Sequence, residues 1–153
     1  MRRLAFAVFV TMFVLAFTSV YGVAKDETVD EMKMRFESAR PEDRAELGIR
    51  IAQQELRNAD KLYKDGNAEQ ARAAVDDIAT YSEKARDAAT QTNKHLKNVE
   101  IEVRKIADKL RDIKRTLAFE DQPPVDHAIR RLEDVRTTLL KAMFAKDNKK
   151  ENK

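Results

Sequence analysis

The chain of 153 residues has no cysteine or tryptophan, and only three glycines, three prolines and two histidines. The absence of cysteine excludes disulfide bonds, thiolate metal sites and a cysteine nucleophile. So few glycines leave no glycine-rich phosphate-binding loop, and two histidines leave little for acid–base catalysis. Charged residues, in contrast, make up 37% of the chain. The composition therefore argues against most kinds of enzyme active site.

Residues 1–24 have the layout of a secretory signal peptide. Two arginines precede residues 4–17, which are all apolar except Thr11. Small residues follow, so cleavage is expected after Gly22 or after Ala24. The sequence therefore predicts a mature protein that is exported, either to the periplasm or outside the cell.

The alternative to a cleaved leader is an N-terminal membrane anchor. Residues 4–24 carry no charge, and about 20 apolar residues suffice to cross a bilayer. In both cases the basic start stays inside and the remainder is exported. Without the leader, residues 25–153 hold 28 basic and 27 acidic groups, so the net charge is only +1.

A heptad pattern of uncharged residues runs through the middle of the chain. Steps of three and four residues from Ala68 to Leu117 meet fifteen positions, none of which is charged. This spacing is typical of one face of an α-helix, and its register never shifts. We therefore predict one continuous helix over about 68–119, about 75 Å long. A break near Thr90–Asn93, where weak helix formers cluster, is the alternative.

Three further segments have the same apolar spacing. They predict a short helix over about 27–39 and longer helices over about 41–64 and 124–146. Because the connecting loops are short, the longer two should fold back antiparallel on the two halves of the central helix. The expected fold is all-α, with one helical-hairpin or coiled-coil domain over 25–146 and a charged, disordered tail over 147–153.

Proline and glycine mark the predicted helix ends. Pro41 suits the first position of a helix, and Gly66 suits the left-handed residue that closes one. Asn67 should then cap the next helix, with Gln70 completing a capping box. The Pro123–Pro124 pair should end the long helix before it.

Recurring residues raise the possibility of an internal duplication. Residues of 51–62 recur 55 positions later, as Ile51 does at Ile106. Residues of 71–85 recur 57 positions later, as Ala71 does at Ala128. Heptads alone also produce such matches. Duplication and shared heptad patterning are therefore both open interpretations.

One short stretch resembles a known family. Residues 62–67 read Leu-Tyr-Lys-Asp-Gly-Asn, and Ala71 follows. Over residues 59–71 the chain resembles the turn between the two helices of a tetratricopeptide (TPR) repeat. The resemblance implies a helical hairpin with that turn. In the family, stacked hairpins present a peptide-binding groove, which a single hairpin cannot form.

Histidines and carboxylates are the remaining candidates for chemistry. His95 and His127 are 32 positions apart, and a zinc site needs three or four ligands, so both are interpreted as exposed helix residues. Most carboxylates have a basic residue three or four positions away, as Glu100 has Arg104, which is typical of a solvated helix face. We therefore expect no catalytic residue, no metal site and no cofactor.

Charge is distributed unevenly along the chain. Residues 25–93 carry 12 basic and 16 acidic groups, whereas residues 94–153 carry 16 basic and 11 acidic groups. The basic half suits an anionic lipid or glycan of the envelope, or an acidic protein. The alternatives are head-to-tail pairing of two copies and simple solvation. Nucleic acid is not expected, since aromatic and basic residues are not interleaved.

Among the apolar residues that lie off the predicted helix seams, six form a candidate interaction surface. They are Leu47, Ile51, Tyr81, Ile101, Leu140 and Phe144. One interpretation is a binding surface for client peptides or an envelope partner. The other is that the short N-terminal helix or a second copy packs on them. Because an elongated helical chain buries little surface per residue, we expect self-association, most simply a homodimer.

These features together predict an exported, non-enzymatic interaction or scaffold protein of the periplasm or cell envelope. The leader, the heptads and the lack of catalytic chemistry favour this function, and a protein partner is expected. The alternative is a small ATP-independent periplasmic chaperone. The chain is similar to such proteins in its size, its leader, its helical hairpins and its lack of cysteine.

Overall fold

The computed structural model describes residues 27–151, and this part of the chain is helical with no strand. The helices are α1 (Val29–Ser38), α2 (Pro41–Lys64), α3 (Ala68–Thr92), α4 (Leu96–Thr116) and α5 (Gln122–Glu151), with a 3-10 turn at Phe119–Asp121. The prediction of an all-α fold is therefore confirmed. The predicted signal peptide lies outside the described residues.

The single long helix predicted over 68–119 is wrong. The chain leaves helical geometry at Asn93 and re-enters it at Leu96. Asn93 and His95 have φ angles of 53° and 61°, which lie in the left-handed region, so the chain reverses direction between α3 and α4. The alternative, a break near Thr90–Asn93, is therefore confirmed, since the helix ends at Thr92.

Folding back lets α4 bury its apolar face. In a continuous helix this face would contact α5 alone, whereas here it packs against both α2 and α5. Each apolar side chain that is fully buried contributes about 1.5–3 kcal/mol, and each lost helical hydrogen bond costs only about 0.5–1.5 kcal/mol. Burial of several side chains therefore outweighs the break.

The bundle consists of two helical hairpins that lie side by side. α2 and α3 form the first hairpin, and α4 and α5 form the second. The predicted antiparallel pairing of 41–64 and 124–146 with the two halves of the central segment is confirmed. Helices α2 and α4, which are neighbours in different hairpins, run parallel. Glu46 of α2 contacts His95, just before α4, and Gln53, further along α2, contacts Glu102, further along α4. Parallel stacking of this kind is how helical-hairpin repeats associate.

The first hairpin turns at a left-handed glycine, as predicted. Gly66 has a φ of +76°, and the amide of Asn67 donates to the carbonyl of Leu62 at 2.8 Å, which closes α2 in a Schellman motif. The predicted capping box of Asn67 and Gln70 is wrong, since the Asn67 side chain makes no capping hydrogen bond. Its ψ of 59° differs from the extended geometry of a capping residue.

Proline sets two further boundaries. Pro41 is the first residue of α2, and the extended Arg40 before it separates α1 from α2. The Pro123–Pro124 pair lies in the first turn of α5, which begins at Gln122. The helix then continues to Glu151, so the tail predicted to be disordered from residue 147 is helical up to that point.

One hydrophobic core runs through both hairpins. Alanines dominate the first hairpin and larger residues the second. The buried branched side chains of the second hairpin are Leu96, Val99, Val103, Ile106, Leu110, Ile113, Val125, Leu132, Val135 and Leu139. The small residues let α2 and α3 approach closely. A Cβ placed on Gly48 of α2 would lie 2.9 Å from the carbonyl oxygen of Tyr81 and 3.0 Å from the Cβ of Ala85.

We expect Gly48→Ala to lower the free energy of unfolding by about 1–3 kcal/mol, because the added methyl group meets the backbone of α3. Helix propensity alone predicts the opposite sign, a gain of about 1 kcal/mol. Urea denaturation followed by circular dichroism distinguishes the two. A stabilised variant would show that the first hairpin has room for a side chain here.

We expect His95→Val to destabilise the protein by about 1–2 kcal/mol, because a β-branched residue tolerates the left-handed region poorly. Lys94→Val is the matched control, since Lys94 has no positive φ and, like His95, contacts one glutamate of α2. Equal unfolding free energies for the two variants in urea denaturation would contradict a strained left-handed hinge.

Candidate interaction surface

Three of the six predicted surface residues lie in the core. Leu47, Ile51 and Tyr81 are at most 7% exposed and belong to the same cluster as Met32 and Phe36 of α1. The Tyr81 ring packs edge-on against Phe36 with their centroids 5.4 Å apart. For these three residues the interpretation as an exposed binding surface is wrong, and the other interpretation, packing of the short N-terminal helix on them, is confirmed.

The other three predicted residues all lie on the second hairpin. Ile101 of α4 and Leu140 of α5 are half-buried, and Phe144 of α5 is 66% exposed. Ionic contacts show that α4 and α5 run antiparallel, since Lys114 contacts Asp126 and Glu100 contacts Arg136. Ile101 and Leu140 are therefore within about one helical turn of each other along the bundle axis.

These residues belong to the side of the second hairpin that faces away from the first. We call this side the outer face and define it by Ile101, Ile129, Leu140 and Met143, all of which are half-buried. Residues 129, 133, 136, 140 and 143 follow one another in steps of four and three along α5. Ile129 and Met143 are not among the predicted residues, although this second heptad line was visible in the sequence.

A chain of ion pairs crosses the outer face between Ile129 and Leu140. Arg111 contacts both Asp108 and Glu133, and Arg136 contacts Glu133 at 2.9 Å. Arg136 also reaches the buried carboxylate of Glu100 at 3.1 Å. The predicted pairing of Glu100 with Arg104 is therefore wrong, because Glu100 faces α5 and not solvent.

The acidic and basic halves of the chain meet between the hairpins. Arg131 of α5 inserts between carboxylates of α3, with its guanidinium 2.7 Å from Glu83 and 2.7 Å from Asp76, and it also donates to Thr80 at 3.1 Å. The hydrogen bond from Arg131 lowers the pKa of Glu83, although its partial burial acts in the opposite direction. The charge imbalance of the sequence is thus partly compensated within one chain.

A second ionic cluster attaches α1 to the first hairpin. The Lys33 ammonium lies 2.7 Å from Glu55 of α2 and 2.6 Å from Asp77 of α3. Burial lowers the pKa of Lys33, but the hydrogen bonds to Asp77 and Glu55 outweigh it and raise the pKa above its ordinary value. A lysine held protonated in this way is unsuited to act as a base or a nucleophile.

The two histidines lie in different places and have different neighbours. His95 precedes α4 with its Nδ1 3.1 Å from Glu46, and His127 is exposed on α5. Within the described part of the chain, no three histidines or carboxylates are grouped so that they could hold a metal ion. None of the helices in residues 27–151 has the length and apolar character needed to cross a bilayer.

Comparison of the chain with protein families, with curated proteins and with solved structures finds no match. The similarity of residues 59–71 to a TPR turn therefore stays a resemblance of local sequence. The interaction surface has to be argued from its own geometry.

We expect Arg131→Gln to lower the free energy of unfolding at neutral pH by about 1–2 kcal/mol, because charged hydrogen bonds between the hairpins are lost. Since the pKa of Glu83 is lowered in the folded state, its contribution is present at neutral pH and is lost below the ordinary glutamate value of 4.5. The variant should therefore lose less stability than the wild type on acidification.

Urea denaturation at about pH 7 and about pH 3.5 measures both effects. Arg115→Gln is the matched control, because Arg115 contacts only Asp112 of its own helix and is 76% exposed. Its unfolding free energy should change by less than about 0.5 kcal/mol. Equal acid sensitivity of the wild type and Arg131→Gln would contradict the role of Arg131.

Proposed function

We propose that this protein is an exported, non-enzymatic interaction or scaffold protein of the periplasm or cell envelope. The observation that carries the proposal is the outer face of the second hairpin. It combines half-buried apolar side chains with arginine–carboxylate pairs, and it stays partly exposed among the side chains of residues 27–145. Interfaces between proteins have this mixture of apolar anchors, arginine and paired charge.

The stacking of the two hairpins supports this use of the outer face. With the recurrence offsets of the sequence, Ile101 corresponds to Glu46 and Leu140 corresponds to Glu83. Glu46 and Glu83 are residues of the first hairpin that contact the second one. The outer face is therefore the position at which a further helical element would stack, and it carries isoleucine and leucine where the first hairpin carries glutamate.

The structure changes the basis of this proposal. The sequence predicted that one continuous helix would supply the binding surface, but the structure has two helices in its place. The homodimer was expected because an elongated chain would bury little surface, but the bundle has a core of its own. A dimer or a different partner protein now rests on the outer face alone.

The exposed large apolar residues favour a second candidate, a small ATP-independent chaperone. Phe119 is 85% exposed, Met34 is 68% exposed and Phe144 is 66% exposed. Scattered exposed apolar groups suit weak binding to many unfolded chains, whereas one contiguous face suits a single partner.

To test the proposal, we would place a photoreactive amino acid at Leu140 and crosslink in cells. We expect one dominant adduct, either with an envelope protein or with a second copy, because Leu140 lies in the outer face. Glu69 is the matched control, since its side chain on α3 is 95% exposed and lies outside that face. The same adducts from both positions, or none from Leu140, would contradict a specific interface.

The chaperone alternative has a separate readout. A chaperone should suppress aggregation of an unrelated denatured protein at substoichiometric concentration, whereas a scaffold should not. Suppression that persists in Leu140→Asp, together with the absence of a dominant adduct, would favour the chaperone.

A further inference from the structure

The C-terminal end of α5 extends beyond the first turn of α4. Arg136 of α5 lies opposite Glu100 of α4 at 3.1 Å, and α4 begins four residues before Glu100, at Leu96. Because the two helices are antiparallel, the level of Leu96 corresponds to about residue 140 of α5. The helix continues to Glu151, so the part after Phe144 projects about 10 Å past the first turn of α4.

Apolar and cationic side chains lie close together where α5 extends past the start of α4. Phe144 is 66% exposed, and Leu140 and Lys141 precede it by four and three residues, so the three are neighbours on the helix surface. Lys97, in the first turn of α4, lies at the same level. We call Lys97, Leu140, Lys141 and Phe144 the end patch.

The cations of the end patch have no acidic partner among residues 27–145. Among residues 27–145, whose side chains the structure describes, neither Lys97 nor Lys141 has a carboxylate oxygen within 4.0 Å, and the same holds for Arg104 two turns along α4. The acidic residues near the start of α2 are paired, since Glu42 contacts Lys94 and Asp43 contacts Arg40. The sequence of residues 146–153 adds four lysines and two acidic residues. The formal charge at this end is therefore positive.

We propose that the end patch binds the surface of an anionic lipid bilayer. An exposed phenylalanine beside a leucine, flanked by lysines, is the pattern by which a helix inserts its apolar side at the bilayer interface. Each lysine near an anionic surface strengthens binding by about fivefold. A protein partner fits less well, because a projecting helix end is convex and offers no groove for a second helix.

This inference does not depend on the proposed scaffold function. Leu140 belongs to both surfaces, but scaffold binding rests on the outer face, where Ile101 and Ile129 flank the arginine–carboxylate pairs. Lipid binding rests on the exposed Phe144 and on the two lysines of the end patch. One function can fail while the other holds.

The experiment is flotation with lipid vesicles of the chain from Lys25 to Lys153, which lacks the predicted leader and contains every residue of the core. We expect binding to phosphatidylcholine vesicles that contain about 30 mol % phosphatidylglycerol and at least tenfold weaker binding to pure phosphatidylcholine. About 0.5 M NaCl should remove most of the binding, because it screens the lysines.

Two variants locate the surface, and each has a matched control. Phe144→Ser should weaken binding to the anionic vesicles about tenfold, whereas Phe119→Ser, which removes a more exposed phenylalanine beyond the other end of α4, should not. Lys97→Glu should weaken it at least fivefold. Lys109→Glu should have less effect, because Lys109 lies three turns further along α4; it likewise has no acidic partner among the described side chains. Circular dichroism confirms that each variant is folded.

Absence of binding to anionic vesicles at low salt would overturn the proposal. So would equal binding to both kinds of vesicle, or equal losses for Phe144→Ser and Phe119→Ser. If Phe144→Ser left vesicle binding intact but abolished the adduct formed from position 140, the end patch would be part of a protein interface, and lipid binding would be rejected.

Discussion

The reversal of the chain at Asn93–His95 is the constraint on which the bundle depends. Two residues in the left-handed region turn α4 back along α2, so that one core forms from both hairpins. Without the reversal, α2 and α5 would cover different halves of a long helix and would share no core. Strain at two non-glycine residues is therefore compensated by burial of residues such as Val99 and Ile106 on α4.

The sequence predicted the helices well but could not decide between a continuous helix and this reversal. Apolar spacing and the signals at Pro41 and Gly66 depend on local geometry, which short stretches of sequence contain. The continuous register from residue 68 to 117 was misleading because both pieces face the same core and a three-residue loop preserves the count. Neither residue in the left-handed region is glycine, so no strong local signal marked the turn.

The charges show the same limit of local reasoning. The sequence shows an excess of acidic groups before residue 94 and of basic groups after it. It does not show which of these residues pair with each other. Arg131 binds Glu83 and Asp76 across the hairpin interface, at sequence separations of 48 and 55. Glu100 was assigned to Arg104 by helix spacing, yet it is buried against Arg136, 36 residues away. Only the stacking of the hairpins decides between these pairings.

Only three of the six residues predicted for the candidate surface lie on the second hairpin, outside the core. Each of the six residues lies off a helix seam. This position does not distinguish residues that α1 covers from residues on an open face. Leu47, Ile51 and Tyr81 became core because one more helix lies on their side of the stack, whereas Ile101 and Leu140 belong to the last hairpin of that stack. A stack of helical hairpins leaves an unpartnered face at its end. Here that face carries isoleucine and leucine where a polar terminal surface would have been the more soluble choice, and this contrast is the strongest physical reason to look for a binding partner there.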